Sequence, residues 1–258
     1  MKRVAEIYAY REMISSLVRR ELRGRYKGSV LGFLWTFLNP LLQLLVYTLV
    51  FSVIMNTGIE NYYLFLFVAL VPWIFFSNAI VTGSTCILAN SDMVKKIYFP
   101  REVMPIANVT SGFVNMILCF LVVFAVLIVT GFGINPIALL FLPIIMIVEY
   151  ILTLGFVLIF AALTVYIRDL SYILSILIMA WQFLTPVMYA RDTVPKAVQP
   201  VFELNPVTSI IEAYRTILYY KEVPRIADLG TAVIVGVVFL LVGFLTFGKL
   251  QKGFAEEM

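Results

Sequence analysis

The sequence contains no histidine. Without imidazole there is no Ser-His-Asp triad, no histidine-ligated zinc site and no histidine proton relay. Cysteine is scarce: Cys86 and Cys119 lie in apolar stretches without CxxC spacing, so they read as small buried residues and not as a disulfide. Charge is scarce as well. Asp, Glu, Lys and Arg make up 13% of the chain, about half the share of a soluble domain. No GxxxxGK[ST] loop is present, and Gly248-Lys249 lacks the preceding glycine frame, so the chain offers no nucleotide phosphate cradle of its own.

What fills the space is apolar. Hydrophobic residues make up 62% of 258 positions, more than a soluble fold of this size can hide. The sequence therefore predicts an all-α integral membrane protein with six transmembrane helices. Their expected ranges are 30–55 with Pro40 inside, 62–88 with Pro72, 104–130 opening on Pro105, 136–166, long enough to require tilt, a bend at Pro143 or a cytoplasmic extension, 170–188, and 229–247. These are continuous apolar runs, and an outer-membrane barrel would show ten-residue alternation instead. Residues 1–29 form an amphipathic arm and basic connector, and residues 30–258 the membrane domain. Eight basic residues crowd the first 27 positions before any apolar run begins, which is not the pattern of a cleavable signal.

The basic residues set the expected topology. Fourteen of the 19 fall in the arm, the loop around Lys95, the turn at Arg168 and the C-terminal tail. That bias places both termini in the cytoplasm, in a multi-pass protein of the cytoplasmic (inner) membrane. The other five lie in the outward loop 189–228, beside Asp192, Glu203, Glu212, Glu222 and Asp228.

Five features stand out from the plain spans. In the arm, Ile7, Tyr10, Ile14 and Leu17 recur at helical spacing, blurred by Arg11 and Glu21, and a basic run follows. Arg19, Arg20, Arg23, Arg25 and Lys27 either anchor the arm on anionic lipid or also attract a phosphorylated substrate headgroup. The cytoplasmic loop 90–102 mixes charge with Met93, Val94, Ile97, Tyr98 and Phe99, so it reads as a protein docking surface or as an interfacial helix on headgroups. In the outward loop, Asn205-Pro206 reads as a helix cap, and Ile210, Ile211, Tyr214, Ile217 and Leu218 share one face of a helix too short to span. Half-inserted helices and an ordinary external cap both fit it. Among the abundant aromatics, Trp35, Phe37, Trp181, Phe183 and Tyr189 are candidates to line a path for sugar rings, and packing is the competing role. Glu149 is the one acidic residue well inside a span, with hydrogen-bonded structural and proton-coupled roles both open.

Four segments together resemble the membrane subunit of bacterial polysaccharide exporters of the type 2 ABC class. They are Arg20-Glu-Leu-Arg-Gly-Arg-Tyr-Lys-Gly-Ser-Val-Leu-Gly-Phe-Leu-Trp35 with Asn39-Pro40-Leu41, Lys95-Lys-Ile-Tyr-Phe-Pro-Arg-Glu102, Arg168-Asp169-Leu170, and Thr185-Pro-Val-Met-Tyr189 followed by Pro195, Asn205-Pro206 and Arg215. The resemblance runs from about residue 10 to the end. It implies a homodimer working with two copies of a cytoplasmic ATP-binding subunit, which would hold the ATP and Mg. It implies an ATPase-coupling helix in the loop carrying Asp92, Lys95, Lys96, Tyr98, Phe99, Arg101 and Glu102. It further implies that the first and fifth spans line the dimer interface, and that two short helices form an outer gate marked by Pro186, Asn205, Pro206 and Arg215. The implied substrate is a lipid-linked polysaccharide, with O-antigen favoured over teichoic acid or capsule and a small-molecule exporter further behind. No catalytic residue, metal or nucleic acid is expected. A membrane enzyme would need histidines or paired acids within spans, and a secondary transporter would show repeats around a polar midplane site. Neither pattern is present.

Overall fold

The computed structural model describes residues 2–24 and 27–257, with the side chains of residues 2–4, 226–228 and 255 outside the description. Among the described residues every regular element is helical. An arm of two helices, α1 (Lys2–Ala9) and α2 (Arg11–Gly24), leads into α3 (Trp35–Thr48), which continues as a π-helical stretch, Leu49–Ile54. Then follow α4 (Tyr62–Ser84), the short α5 (Ser91–Lys96), α6 (Val103–Val129), α7 (Pro136–Leu139) and α8 (Leu142–Tyr166). The last elements are α9 (Leu170–Phe183), α10 (Gln199–Leu204), α11 (Pro206–Leu218), α12 (Ile226–Leu250) and α13 (Phe254–Glu257).

Five segments are long and apolar enough to cross a bilayer: Gly32–Ile54, Tyr62–Ser84, Val103–Val129, Pro136–Tyr166 and Leu229–Gly253. The protein is thus a multi-pass membrane protein, and five of the six expected spans appear close to their expected bounds. The expected span 170–188 differs. Its helix has 14 residues, about 21 Å against the roughly 30 Å of a hydrocarbon core. Pro186 explains the stop: it cannot donate to the carbonyl four residues earlier, and its ring clashes there. Of the three alternatives for 136–166, the structure shows a break near Pro143, which occupies the first turn of α8 after the gap that separates it from α7.

α4 forms the centre of the bundle. Its apolar window is 78% buried within the protein, whereas that of the first span is 6% buried and that of α12 17%. Phe76 of α4 meets Phe156 of α8 and Trp181 of α9 edge-on at 5.9 and 5.4 Å, and Phe156 stacks on Phe239 of α12 at 4.3 Å. These contacts join four helices through rings that favour such geometry. Pro40 inside α3 removes a backbone donor, freeing the carbonyl of Thr36. The thiol of Cys119 donates to that carbonyl at 3.3 Å, so the cysteine expected only as filler compensates a proline.

Backbones approach closely between α8 and α12. A Cβ on Gly155 would sit 2.6 Å from the backbone of Phe239 and Leu240, and one on Gly243 would sit 2.6 Å from the carbonyl of Gly155. In lipid, helix association rests on this kind of contact between small residues. Gly230, on the same α12, has open space around it. Gly155→Ala should therefore destabilise the protein by about 1–3 kcal/mol through overpacking, while Gly230→Ala holds or raises stability through helix propensity. Thermal unfolding in detergent checks the pair, and equal unfolding temperatures would contradict the packing argument.

Candidate functional site

The described residues place the sequence-predicted positions in three clusters. The first surrounds the break after α9. Residues 184–189 are irregular, with Thr185, Pro186, Val187 and Met188 buried, so their carbonyls need partners inside the protein. Asn205 Nδ2 donates to the Leu184 carbonyl at 3.0 Å and to Thr185 Oγ1 at 2.9 Å. Arg215 Nη2 donates to the Val187 carbonyl at 2.5 Å, and Nη1 to the Tyr189 carbonyl at 3.3 Å. Tyr62 Oη, from the start of α4, donates to the Met188 carbonyl at 2.6 Å. Three side chains from three places in the chain thus stand in for the missing helix.

Sequence logic explains how these donors arrive. Asn205 caps α11 as expected, its Oδ1 accepting from the Val207 amide at 3.1 Å, with Pro206 at the first helical position. Oδ1 also accepts from Trp181 Nε1 at 3.0 Å, which ties α11 to α9. The predicted apolar face of α11 is fully buried: Ile210, Ile211, Tyr214, Ile217 and Leu218 are each 0–1% exposed. Burying that face carries Arg215 inward, where it is 1% exposed, paired with Glu212 Oε1 at 2.9 Å and held 3.8 Å over the ring of Phe65. A guanidinium has enough fixed donors to serve several acceptors at once. The same face brings Tyr214 Oη to Glu149 Oε2 at 2.6 Å, joining α11 to α8. At the end of α11, Tyr219 Oη donates to the Glu60 carbonyl at 2.5 Å. Burial raises the pKa of this phenol, as do Tyr220 and Glu60, with Arg215 opposing them, so it remains a donor at neutral pH.

The second cluster is the loop around α5. Lys95, Lys96, Ile97 and Tyr98 project outward, Tyr98 being 88% exposed, and Asp92 is exposed too. Val94 and Phe99 are buried beneath them. Phe99 is thus one expected coupling residue that does not project, and two more point elsewhere. Glu102 is 1% exposed and accepts from Gln251 Nε2 at 3.1 Å, and Arg101 donates through Nη1 to the Gln251 carbonyl. Beside these contacts a cleft of about 890 Å³ is lined by loop and C-terminal residues, among them Glu6, Lys96, Tyr98, Arg101, Gln251 and Lys252.

The third cluster is the arm. Leu17 and Val18 are buried, and α2 packs on α6, so the apolar stripe rests on protein at this point and not on lipid. Glu21, which interrupts that stripe, accepts from Ser111 Oγ of α6 at 2.5 Å, and Arg20 Nη2 donates to Asn90 Oδ1 at 2.6 Å. Exposed Arg19, Arg20, Arg23 and Lys27 line a basin of about 940 Å³ together with Glu12, Ser15 and Ser16. Arg25 lies outside the described residues.

The aromatic candidates divide. Trp181 is committed to Asn205, Phe76 and Phe156. Tyr189 donates to the Phe183 carbonyl at 2.5 Å. Trp35 remains 42% and Phe183 58% exposed, with Trp35 bonded to Ser29 Oγ at 3.1 Å and Phe37 edge-on to Phe33. Sequence reasoning assigns no role to Tyr62 or to the Thr185 hydroxyl. The signal available for them is the requirement of Pro186 for substitute donors nearby.

Replacing the Arg215 guanidinium with an apolar chain of similar length should strand the carbonyls of Val187 and Tyr189. Arg215→Met is expected to cost about 3–5 kcal/mol, as for breaking a buried ionic network. Arg215→Lys should recover only part of this, because one ammonium cannot reach all the acceptors. Chemical or thermal unfolding in detergent measures both, and a lysine variant as stable as the parent would contradict the assignment.

Comparison with known proteins gives the fold its context. Residues 12–219 match the ABC-2 type transporter family. The chain is 37% identical over 257 residues to the O-antigen export system permease protein RfbA of Myxococcus xanthus, covering 99% of this chain and 98% of that protein. It is 34% identical over 245 residues to a protein of the same name from Klebsiella pneumoniae, covering 95% of this chain and 94% of that one. A family match across most of the chain, with relatives similar from end to end, fits the helical membrane architecture, and the chain belongs to the membrane subunits of ABC-2 type transporters.

Proposed function

We propose that this chain is the transmembrane subunit of an ATP-driven exporter that moves lipid-linked O-antigen polysaccharide across the inner membrane. The observation that carries the reading is near-complete, collinear similarity to proteins named O-antigen export permeases. Two copies form the path, and a separate ATP-binding subunit on the cytoplasmic side holds ATP and Mg. Both termini are cytoplasmic in this reading. α9 and the irregular segment after it together make the sixth crossing, ending at a gate built on α10 and α11. The exposed apolar faces of the first span, at Leu42, Leu45 and Leu49, and of α9, at Ile173, Ile176 and Leu177, suit a seam between copies.

Docking of the ATPase falls to Lys95, Lys96, Ile97 and Tyr98, the projecting part of the loop. Their mixture of cation and exposed apolar surface suits an acidic-rimmed groove on the partner. The basic basin of the arm would hold a headgroup phosphate by charge-assisted hydrogen bonds. Trp35 and Phe183, both exposed, offer surfaces over which sugar rings can slide. The glycan then crosses between copies as ATP-driven closure of the partner moves the loop.

Tyr98→Ala combined with Lys95→Glu and Lys96→Glu should cut ATPase co-purification with the membrane subunit by about ten-fold, equivalent to roughly 1.4 kcal/mol. Insertion and expression should not change. Undiminished co-purification would refute the docking assignment.

A further inference from the structure

The residues on the hidden side of the coupling loop have a distinct geometry. Glu102 is the N-cap position of α6, where a carboxylate would ordinarily favour its own helix amides, yet its side chain makes no cap hydrogen bond. It reaches instead to Gln251, 149 positions away in sequence, at 3.1 Å. Arg101 donates to the carbonyl of the same Gln251, and its guanidinium lies 5.7 Å over the ring of Phe254. Adjacent loop residues therefore grip one turn, Gln251–Gly253, at the end of α12.

That turn is also held from its other side. Tyr166 Oη donates to the Leu250 carbonyl at 2.7 Å, and a Cβ on Gly253 would lie 2.5 Å from that hydroxyl. Phe254 is fully buried and edge-on to Phe247 at 5.5 Å. The turn can thus move only with α12 and the end of α8. Through Gly155 and Gly243 these two helices touch backbone to backbone, so a shift of α12 carries α8 with it. α8 bears Glu149, which holds Tyr214 of α11, the helix whose Arg215 satisfies the segment after α9.

We infer that Arg101 and Glu102 form a clamp on the C-terminal turn, through which motion of the coupling loop passes along α12 and α8 to the outer helix α11. The inference rests on the proposed docking of an ATPase at the loop. In it Arg101 and Glu102 are positioning residues that act through α12, and the C-terminal turn is a working part of the transmission. The rigid elements form a contiguous physical chain from one end of the protein to the other, the kind of chain that carries coupling.

The test uses the complete complex in proteoliposomes, with ATP hydrolysis and glycan export read separately. Glu102→Cys and Gln251→Cys are introduced into a protein that also carries Cys86→Ala and Cys119→Ser, and the two new thiols are bridged by addition to the two double bonds of a short bis-maleimide. The unbridged cysteine pair lacks the Glu102–Gln251 bond and should export about three-fold less than the parent, and bridging should restore export to within about two-fold of the parent. Arg101→Ala with Glu102→Ala, which removes both contacts to Gln251, should lower export by about ten-fold while hydrolysis continues, because the coupling step alone is lost. Failure of bridging to restore export, or normal export by the double variant, would overturn the clamp. The bridged protein keeps the packing in place, so it decides the question even where the double variant fails to assemble. Failure of the docking reading would appear differently, as an ATPase that stays bound when Lys95, Lys96 and Tyr98 are changed.

Discussion

The segment after α9 leaves the helical ladder while buried away from water, and that end of the protein is built around the deficit. Pro186 ends the helix, and Val187 and Met188 are buried. Buried carbonyl groups outside a helical ladder need partners, so irregular backbone inside the protein survives only where side chains supply donors. Asn205, Arg215 and Tyr62 are those donors. Their demands fix the rest: α11 must tuck its apolar face inward to deliver Arg215, and α4 must begin where Tyr62 can reach Met188. Arg215 is therefore directed at backbone, and a charge in this position serves architecture before it serves any substrate.

The same logic recurs at smaller scale across the bundle. Cys119 answers the carbonyl that Pro40 frees in the first span. Glu149 and Tyr214 answer each other between α8 and α11. Glycines at 155 and 243 let two backbones touch where larger side chains would keep them apart. Each device is local, but each also joins two helices that lipid alone would leave free to slide. The result is a bundle whose helices are joined by specific polar and close-packed contacts as well as by apolar surface.

Hydropathy makes the spans legible, because any apolar run near 20 residues long reports itself. It cannot separate α4, which is buried on all sides, from the first span, which faces outward, since both are apolar throughout. The cap at Asn205-Pro206 and the buried stripe of α11 are legible from spacing and turn chemistry. The fifth span reads too long because its apolar residues continue past the proline that ends the helix. Within the loop 90–102, composition marks the segment but not its two sides. Lys95 and Tyr98 face out while Glu102 turns in, where it accepts from Gln251, a residue far along the chain. Glu21 is legible as a departure from the amphipathic stripe of the arm, and Ser111 supplies its reason.

The function proposed for this chain divides the labour: it is the path, and another polypeptide supplies the energy. Flux measured in proteoliposomes tests that division most directly, with lipid-linked O-antigen supplied on the side of the coupling loop and glycan detected on the other. Flux is predicted only when both the chain and its ATP-binding subunit are present with ATP and Mg, and none when the ATPase is inactivated. Glycan movement by this chain alone, or ATP hydrolysis by it in isolation, would contradict the claim.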